Sequence, residues 1–515
     1  MGEVPLYLRI RDDLKRQIAS GELAPGSKLP SSRQLAADLK VSRITVTNAY
    51  AELEADGLIE SRVGAGTFVA APWPAAPTPD AAAAPESPRW QAGLETGIHP
   101  VRDAVLRETA RTEDGLITFG RARGDPRLFP SHLLRRFFSE VLADERSSAL
   151  EYETGQGYGP LRAVLAQYLR RQGILAEPDD IVITAGAQQA IDLLGRALVR
   201  PGDCVVVECP TFPGALEVFE TRGAELAGVP LDGEGMSATA LERALRQRRP
   251  RLIYTVPTFH NPSGVVMSAA RRREVVTLAQ RYDVPILEDE YLREVRFGSP
   301  IPPPLAASDR HGHVVHVGSF SKSLAPALRL GYIMARGPLC ETLVSLKRAT
   351  DICTSAIMQR AVCRFLESGA VYGHWKRVSH VYRRRQAAMV AALQRHFPPG
   401  AAWNVPPGGL LLWVELPAAV SVMRLFEDAS REGVSFAAGP AFFLEPADQP
   451  FIRLNFAALD EAQIERGVAI LGQLVAAQLA QAGRHRPLDS GDEPAGDRRE
   501  DGQANDDDHL ALSAG

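Results

Sequence analysis

Val314-Val315-His316-Val317-Gly318-Ser319-Phe320-Ser321-Lys322 passes from a β-branched run into small residues, two hydroxyls and a lysine, with Arg329 a short way beyond. The β-branched run reads as a buried strand, so Lys322 falls where that strand opens into a loop. Ligands collect at such edges of an α/β sheet. A lysine there can hold an aldehyde covalently, while the serines and the arginine can hold a phosphate. Those are the two handles of pyridoxal phosphate. A surface lysine following a strand would look the same over these residues alone, so the flanking chain has to decide.

Upstream, Ile181-Val182-Ile183-Thr184, Cys204-Val205-Val206-Val207-Glu208, Leu252-Ile253-Tyr254-Thr255-Val256 and Val284-Pro285-Ile286-Leu287-Glu288 alternate with helical patterns. That order predicts an α/β fold with a largely parallel sheet covered on both faces. Beyond Leu339 the pattern turns helical, and the runs from Leu410 to Leu416 and from Phe451 to Phe456 predict short strands of a smaller C-terminal subdomain.

Strand ends supply the chemistry. Thr184-Ala185-Gly186-Ala187-Gln188 opens a helix whose backbone N–H groups can take a phosphate. Phe212 can stack on an aromatic ring, and Asn261, ahead of Pro262, can donate to a phenolate oxygen, although Asn-Pro is also ordinary turn chemistry. Asp289 and Tyr291 end another strand. A buried carboxylate there keeps a pyridinium nitrogen protonated, and on spacing alone Glu288 or Glu290 serves as well. His316, entering the strand, faces the opposite way from His311 and His313, so no metal site is expected.

Taken in order, Gly186-Ala187-Gln188, Phe212, Asn261-Pro262-Ser263-Gly264, Asp289, Tyr291, Ser319 to Lys322, Arg329 and the late Arg453 resemble the fold-type I aminotransferases over residues 93–483. The resemblance implies that Lys322 bonds to the cofactor's aldehyde, that Asp289 partners ring nitrogen N1, and that Tyr291 and Asn261 partner the phenolic oxygen. Phe212 becomes the stacking ring. Gly186, Ala187, Gln188, Ser319, Ser321 and Arg329 become the phosphate site. Lys322, Asp289 and Tyr291 would carry the catalytic work, and Arg453 would grip a substrate carboxylate with a bidentate fork. This fold builds its site across a homodimer interface, so Tyr152 is implied to reach the phosphate of the neighbouring subunit.

The whole chain, at 515 residues, exceeds one simple domain, and its net charge of -4 advertises neither a polyanion nor a membrane as partner. Five cysteines without C-x-x-C spacing point to reduced thiols and a cytoplasmic setting. No apolar run approaches the length of a membrane span, and the start of the chain carries no apolar signal core.

A different pattern occupies residues 1–70. Leu6, Ile10, Leu14 and Ile18 mark one face of a helix that Gly21 and Pro25-Gly26 end. Ser31 or Ser32 can cap a short helix with Leu35 and Leu39 inward, and Ser42 can cap another with Val46, Ala49, Tyr50 and Leu53 inward. That leaves Arg43, Thr47 and Asn48 outward and Thr45 near the helix N-terminus, as on a recognition helix in a major groove. The glycine-rich stretch from Leu58 to Val69 reads as a hairpin, the wing. Acids equal bases over this region, but Arg33, Lys40, Arg43 and Arg62 lie around the turn, helix and wing, whereas Glu52, Glu54 and Asp56 gather at the far end. The segments from Leu29 to Tyr50 and from Gly64 to Val69 resemble the GntR winged-helix family. That resemblance implies DNA contacts by Arg33, Ser42, Arg43, Thr45 and Gly64, to which the outward position adds Thr47.

Residues 71–92 are largely alanine and proline, a tether reaching about 25 Å if flexible and roughly 60 Å if extended. Residues 484–515 form an acidic tail of solvated composition. A GntR winged helix tethered to an aminotransferase-like domain resembles the MocR subfamily of transcriptional regulators. The resemblance implies a homodimer that binds a double-stranded DNA operator and senses pyridoxal phosphate, or its adduct with an amino acid or other amine. The alternative is a working aminotransferase of the 2-aminoadipate or aromatic type that carries a winged helix. His260-Asn261-Pro262-Ser263-Gly264 favours that alternative, because MocR regulators often show a glutamine in this segment and active transaminases the asparagine form.

Overall fold

Alternate side chains of a strand point to opposite faces, and both faces are apolar here, so the strands around Lys322 need cover on two sides. The computed structural model describes residues 5–62, 64–70, 97–109, 115–298, 300–445 and 449–484. Val205, Val207, Leu252, Tyr254, Leu287, Val315 and Val317 enter one apolar core, while Val206, Ile253, Ile286 and Val314 enter another. Helices Ala187–Leu198 and Pro213–Thr221 cover the first side; Gly159–Arg171, Ala238–Arg248 and Ala269–Tyr282 cover the second.

The sheet has eight strands in the order Ile181–Thr184, Gly331–Met334, Val314–Ser319, Ile286–Glu290, Leu252–Thr255, Cys204–Cys209, Glu225–Asp232 and Gly235–Met236. Its middle is parallel, as expected. Gly331–Met334 was not anticipated: it runs antiparallel to both neighbours and wedges the lysine strand away from Ile181–Thr184. A Cβ at Gly331 would lie 2.8 Å from the Gly318 oxygen and 2.9 Å from Gly186 Cα, so only glycine lets these backbones meet beside the site.

The long helix Ala370–His396 leads to a smaller antiparallel sheet of Ala402–Trp403, Leu411–Glu415, Phe451–Asn455 and Ala437–Ala438, which Val422–Arg431 and Glu461–Arg484 cover. Asp125 pairs with Arg385 of the long helix at 2.7 Å and with Arg127. Burial pushes the Asp125 carboxyl up, but the two guanidiniums outweigh it and hold it low. The loop from Gly120 to Asp125 is thereby fixed against the helix.

Residues 1–94 form a separate unit from 95–515. Helices Leu6–Ala19, Ser32–Asp38 and Arg43–Ala55 and the hairpin Ile59–Arg62 with Gly66–Val69 pack around Ile10, Leu14, Val46, Ala49, Tyr50, Leu53, Ile59 and Val69. Leu39 departs from expectation and is exposed. The short helix stops at Asp38, so Leu39 is its C-cap and leaves the apolar stripe, and Ala36 fills the inward place. The tether 71–92 and the tail beyond Arg484 lie outside the described residues. Among the described residues no helix is long and apolar enough to cross a membrane.

Candidate functional site

Strand register settles which of three consecutive carboxylates faces the cavity. Glu288 points to one side, where His316 Nδ1 lies at 3.0 Å and the Ala306 N–H donates at 3.1 Å. Glu290 points the same way, bonded by the Thr258 hydroxyl at 2.5 Å and by Arg272. Asp289 alternates to the opposite face and lines a cavity of about 490 Å³. The Tyr254 hydroxyl donates to its Oδ2 at 3.0 Å, and its Oδ1 is buried with no hydrogen-bond partner among the described residues. Burial pushes the carboxyl up to about 7, against the pull of Tyr254.

Lys322 reaches the same cavity from the end of the neighbouring strand, where Val317 is in register with Asp289. Burial, then the positive charges of Arg453 and Arg329, bring its ammonium down to about 8. Below it, Gly186 at φ 98° starts the helix Ala187–Leu198 without a side-chain cap, and Ala187 and Gln188 line the cavity. Arg329 arches over this helix start: Nη2 donates to the Ala185 oxygen at 2.8 Å and Nη1 to Ser321 Oγ at 3.5 Å. Ser319 Oγ accepts from the Ser321 N–H. A Cβ at Gly186 would come within 3.1 Å of the Arg329 guanidinium. Backbone donors, two hydroxyls and a guanidinium thus converge on one corner.

Phe212, Asn261, Tyr291 and Arg453 complete the wall. Asn261 Oδ1 accepts from Arg453 Nη1 at 2.8 Å, and the Tyr291 hydroxyl donates to the Phe259 oxygen at 2.9 Å. Arg453 stacks over the Phe442 ring, and its Nε is buried without a hydrogen-bond partner among the described residues. Burial lowers its guanidinium to about 10. Tyr152 is not brought to this cavity: it is 80% exposed on the surface of the chain.

The cavity also contains residues that sequence reasoning missed, namely Leu106, Arg121, Arg123 and Glu217, with Tyr254 behind Asp289. Arg-x-Arg after a short strand was the available signal for two of them. The residues present fit pyridoxal phosphate: an unpartnered buried carboxylate oxygen suits a ring N–H, a depressed lysine suits an aldehyde, and an uncapped helix start with an arginine suits a phosphate.

On the first unit, Ser42 caps the helix Arg43–Ala55 by accepting from the Thr45 N–H, and its hydroxyl meets Thr45 Oγ1 at 2.8 Å. Arg33, Arg43, Thr47 and Gly64 are exposed, and Thr45 is half-buried. Arg43 Nε donates to Ser32 Oγ at 3.3 Å, which leans the guanidinium toward the preceding helix, and Thr47 bonds back to the Arg43 oxygen. Ile44, not singled out from sequence, stands 72% exposed on the same outward face. Asp56 pairs with Lys15, and Glu54 accepts from the Ser61 N–H, so acids at the far end are tied into the fold.

Residues 122–471 match the family described as "Aminotransferase class I and II", and residues 6–69 match "Bacterial regulatory proteins, gntR family". The HTH-type transcriptional regulator YdfD of Bacillus subtilis is 32% identical, over 92% of this chain and 97% of its own length. The protein MocR of Rhizobium meliloti is 30% identical, over 90% of this chain and 93% of its own. Among solved structures, LysN, the α-aminoadipate aminotransferase of Thermus thermophilus complexed with N-(5'-phosphopyridoxyl)-L-leucine, superposes with a TM-score of 0.71 at 32% identity, covering 76% of this chain and 99% of that one.

Proposed function

This chain belongs to the aminotransferase class I and II family and, through its gntR-type front, to the MocR-type transcriptional regulators, and on that premise we propose that the large unit is a sensor. Its bound pyridoxal phosphate, with an amino ligand, sets how the two winged helices of a cytoplasmic homodimer address repeated half-sites in a double-stranded DNA operator. The observation that supports this reading is the conjunction, in one chain, of a cavity whose residues fit pyridoxal phosphate and a gntR-type unit whose helix Arg43–Ala55 is exposed at Arg43, Thr47 and Asn48.

Pyridoxal phosphate supplies an aldehyde that captures amines and a ring that draws electrons from them. The chain's part is to hold and to move protons. Lys322 Nζ would supply a free base as pH rises past about 8, Asp289 Oδ1 would accept from the ring nitrogen, and Tyr291 and Asn261 would partner the phenolic oxygen. The 187–188 backbone, Ser319, Ser321 and Arg329 would hold the phosphate, Phe212 would stack on the ring, and Arg453 would take the ligand's carboxylate. Exposure of Tyr152 supports its reaching the partner subunit's site.

Because the Lys322 ammonium titrates at about 8, its free-base fraction rises with pH and is nearly complete by about pH 9, whereas an ordinary lysine titrates near 10.4. Capture of pyridoxal phosphate by cofactor-free protein, followed by stopped-flow absorbance, is expected to accelerate about tenfold between about pH 7 and about pH 9 and then level. A rate still climbing steeply at about pH 10 is the contrary result.

Footprinting on genomic fragments tests the regulatory reading: protection of a repeated site, altered by pyridoxal phosphate, is expected, and weak protection without sequence preference defeats it. Arg43→Ala should weaken operator binding by about tenfold or more while leaving the thermal melt of the unit unchanged, since the side chain is exposed. Equal affinity of variant and parent, compared by fluorescence anisotropy, would remove Arg43 from the interface.

A second reading, transamination, is favoured by Asn261 bonded to Arg453 in a cavity that also gathers Lys322, Asp289, Tyr291 and Arg329. It requires an amino donor to convert the bound cofactor to its amine form and a 2-oxo acid to restore it. Single-turnover spectra without that cycle leave the sensor alone.

A further inference from the structure

We infer that the amino ligand of this cavity carries a second anionic group, a carboxylate, sulfonate or phosphonate, taken by Arg121 and Arg123 while Arg453 takes the first. The inference rests on the cofactor reading above and names the ligand class for the same site. Among the described residues five cationic side chains line the cavity: Lys322 and Arg329 belong to its cofactor end, which leaves Arg453, Arg121 and Arg123. Two carboxylates among the described residues line the cavity: Asp289 faces the ring nitrogen's place, and Glu217 opposes those three arginines. A simple amino acid brings one carboxylate, and an excess of positive charge remains in a half-buried space where unpaired charge is costly.

Backbone contacts put the two arginines at the ligand end. Arg453 Nη2 donates to the Gly120 oxygen at 2.6 Å, and Asn455 Nδ2 bonds the carbonyl oxygens of Arg121 and Arg123. The strand that carries Arg453 therefore stitches this loop beside itself, and Asp125 anchors the loop's far end to the long helix. Among the described residues Arg123 Nε is buried without a hydrogen-bond partner, and neither Arg121 nor Arg123 has a carboxylate within ion-pair distance. Burial, then the charge of Arg123, lowers the Arg121 guanidinium, as two cations without a counter-ion require. Forked guanidiniums suit planar or tetrahedral oxyanions.

The test uses the full-length protein loaded with pyridoxal phosphate. L-aspartate, L-glutamate and L-2-aminoadipate are each titrated against a neutral partner, L-asparagine, L-glutamine and L-norleucine, reading the shift of the cofactor's visible band and the heat of binding. At least one acid should half-saturate at about tenfold lower concentration than its neutral partner, the factor of one charge-assisted contact. In Arg121→Gln and Arg123→Gln, each checked for the loaded band, that ratio should fall to about threefold or less, with Kd for the neutral amino acids little changed. Neutral partners binding as tightly as the acids, or a preference that survives both substitutions, overturns the inference while the cofactor reading stands. A protein that takes up no pyridoxal phosphate overturns both.

Discussion

Lys322→Ala abolishes the visible absorbance of bound pyridoxal phosphate, and operator binding by the variant no longer responds to added cofactor. Among the residues lining the cavity, Lys322 is the sole amine, so no neighbour can replace its bond to an aldehyde. The phosphate corner survives, because Arg329 is held by Ala185 and Ser321 rather than by the lysine. What remains is ionic and hydrogen-bonded affinity, weaker by roughly a hundredfold or more. The fold should tolerate the change: alanine loses buried methylenes but also removes an ammonium crowded by Arg453 and Arg329, so the cofactor-free protein should melt within a few degrees of the parent. Absorbance spectra and footprinting with and without pyridoxal phosphate check the two halves separately. A persistent visible band assigns the bond to another group. A variant without the band whose footprint still follows the cofactor separates sensing from covalent attachment.

The lysine is legible in the sequence because of where chemistry sits in an α/β sheet. Gly186, Asn261, Asp289 and Lys322 each follow a β-branched or apolar run, and a parallel sheet gathers such ends on one edge. Periodicity alone could not choose among Glu288, Asp289 and Glu290, because facing depends on the neighbouring strand that supplies Tyr254. Arg121 and Arg123 were illegible for a different reason. They follow the two-residue strand Ile117–Thr118 and acquire meaning only through Asn455, far away in sequence. The antiparallel wedge Gly331–Met334 was hidden because its glycine permits a contact that no hydrophobic pattern encodes. On the winged helix the caps at Ser31 and Ser42 were legible as local chemistry, but Leu39 was misplaced by a single residue of helix length.

Asp289→Asn should act with opposite sign on the empty and the loaded protein. Without cofactor, burial, with some help from Glu290 and against the Tyr254 hydrogen bond, holds the carboxyl at about 7 instead of its ordinary 3.8. A carboxyl raised in the fold keeps its proton where the unfolded chain has already lost it, so the fold loses stability as pH rises from about 4 to about 7. Above that window the buried charge costs on the order of 4 kcal/mol, at about 1.4 kcal/mol for each tenfold in proton affinity. Asparagine removes the charge and can still accept from Tyr254. Cofactor-free Asp289→Asn should therefore melt a few degrees above the parent at about pH 8, and the two should converge toward pH 4. In the loaded protein the charge has a purpose, since Oδ1 is the unpaired buried acceptor that can keep a ring nitrogen protonated. A neutral amide cannot hold that proton, so the rise in melting temperature on adding pyridoxal phosphate should shrink, and any conversion of the cofactor by an amino donor should slow by roughly 10² to 10⁴, the usual span for a lost acid–base partner. Melts with and without cofactor at both pH values decide the matter. If the empty variant is no more stable than the parent at about pH 8 and gains as much from pyridoxal phosphate, Asp289 is an ordinary buried residue, and the cavity's polarity has to be explained by Tyr254 and Arg453 alone.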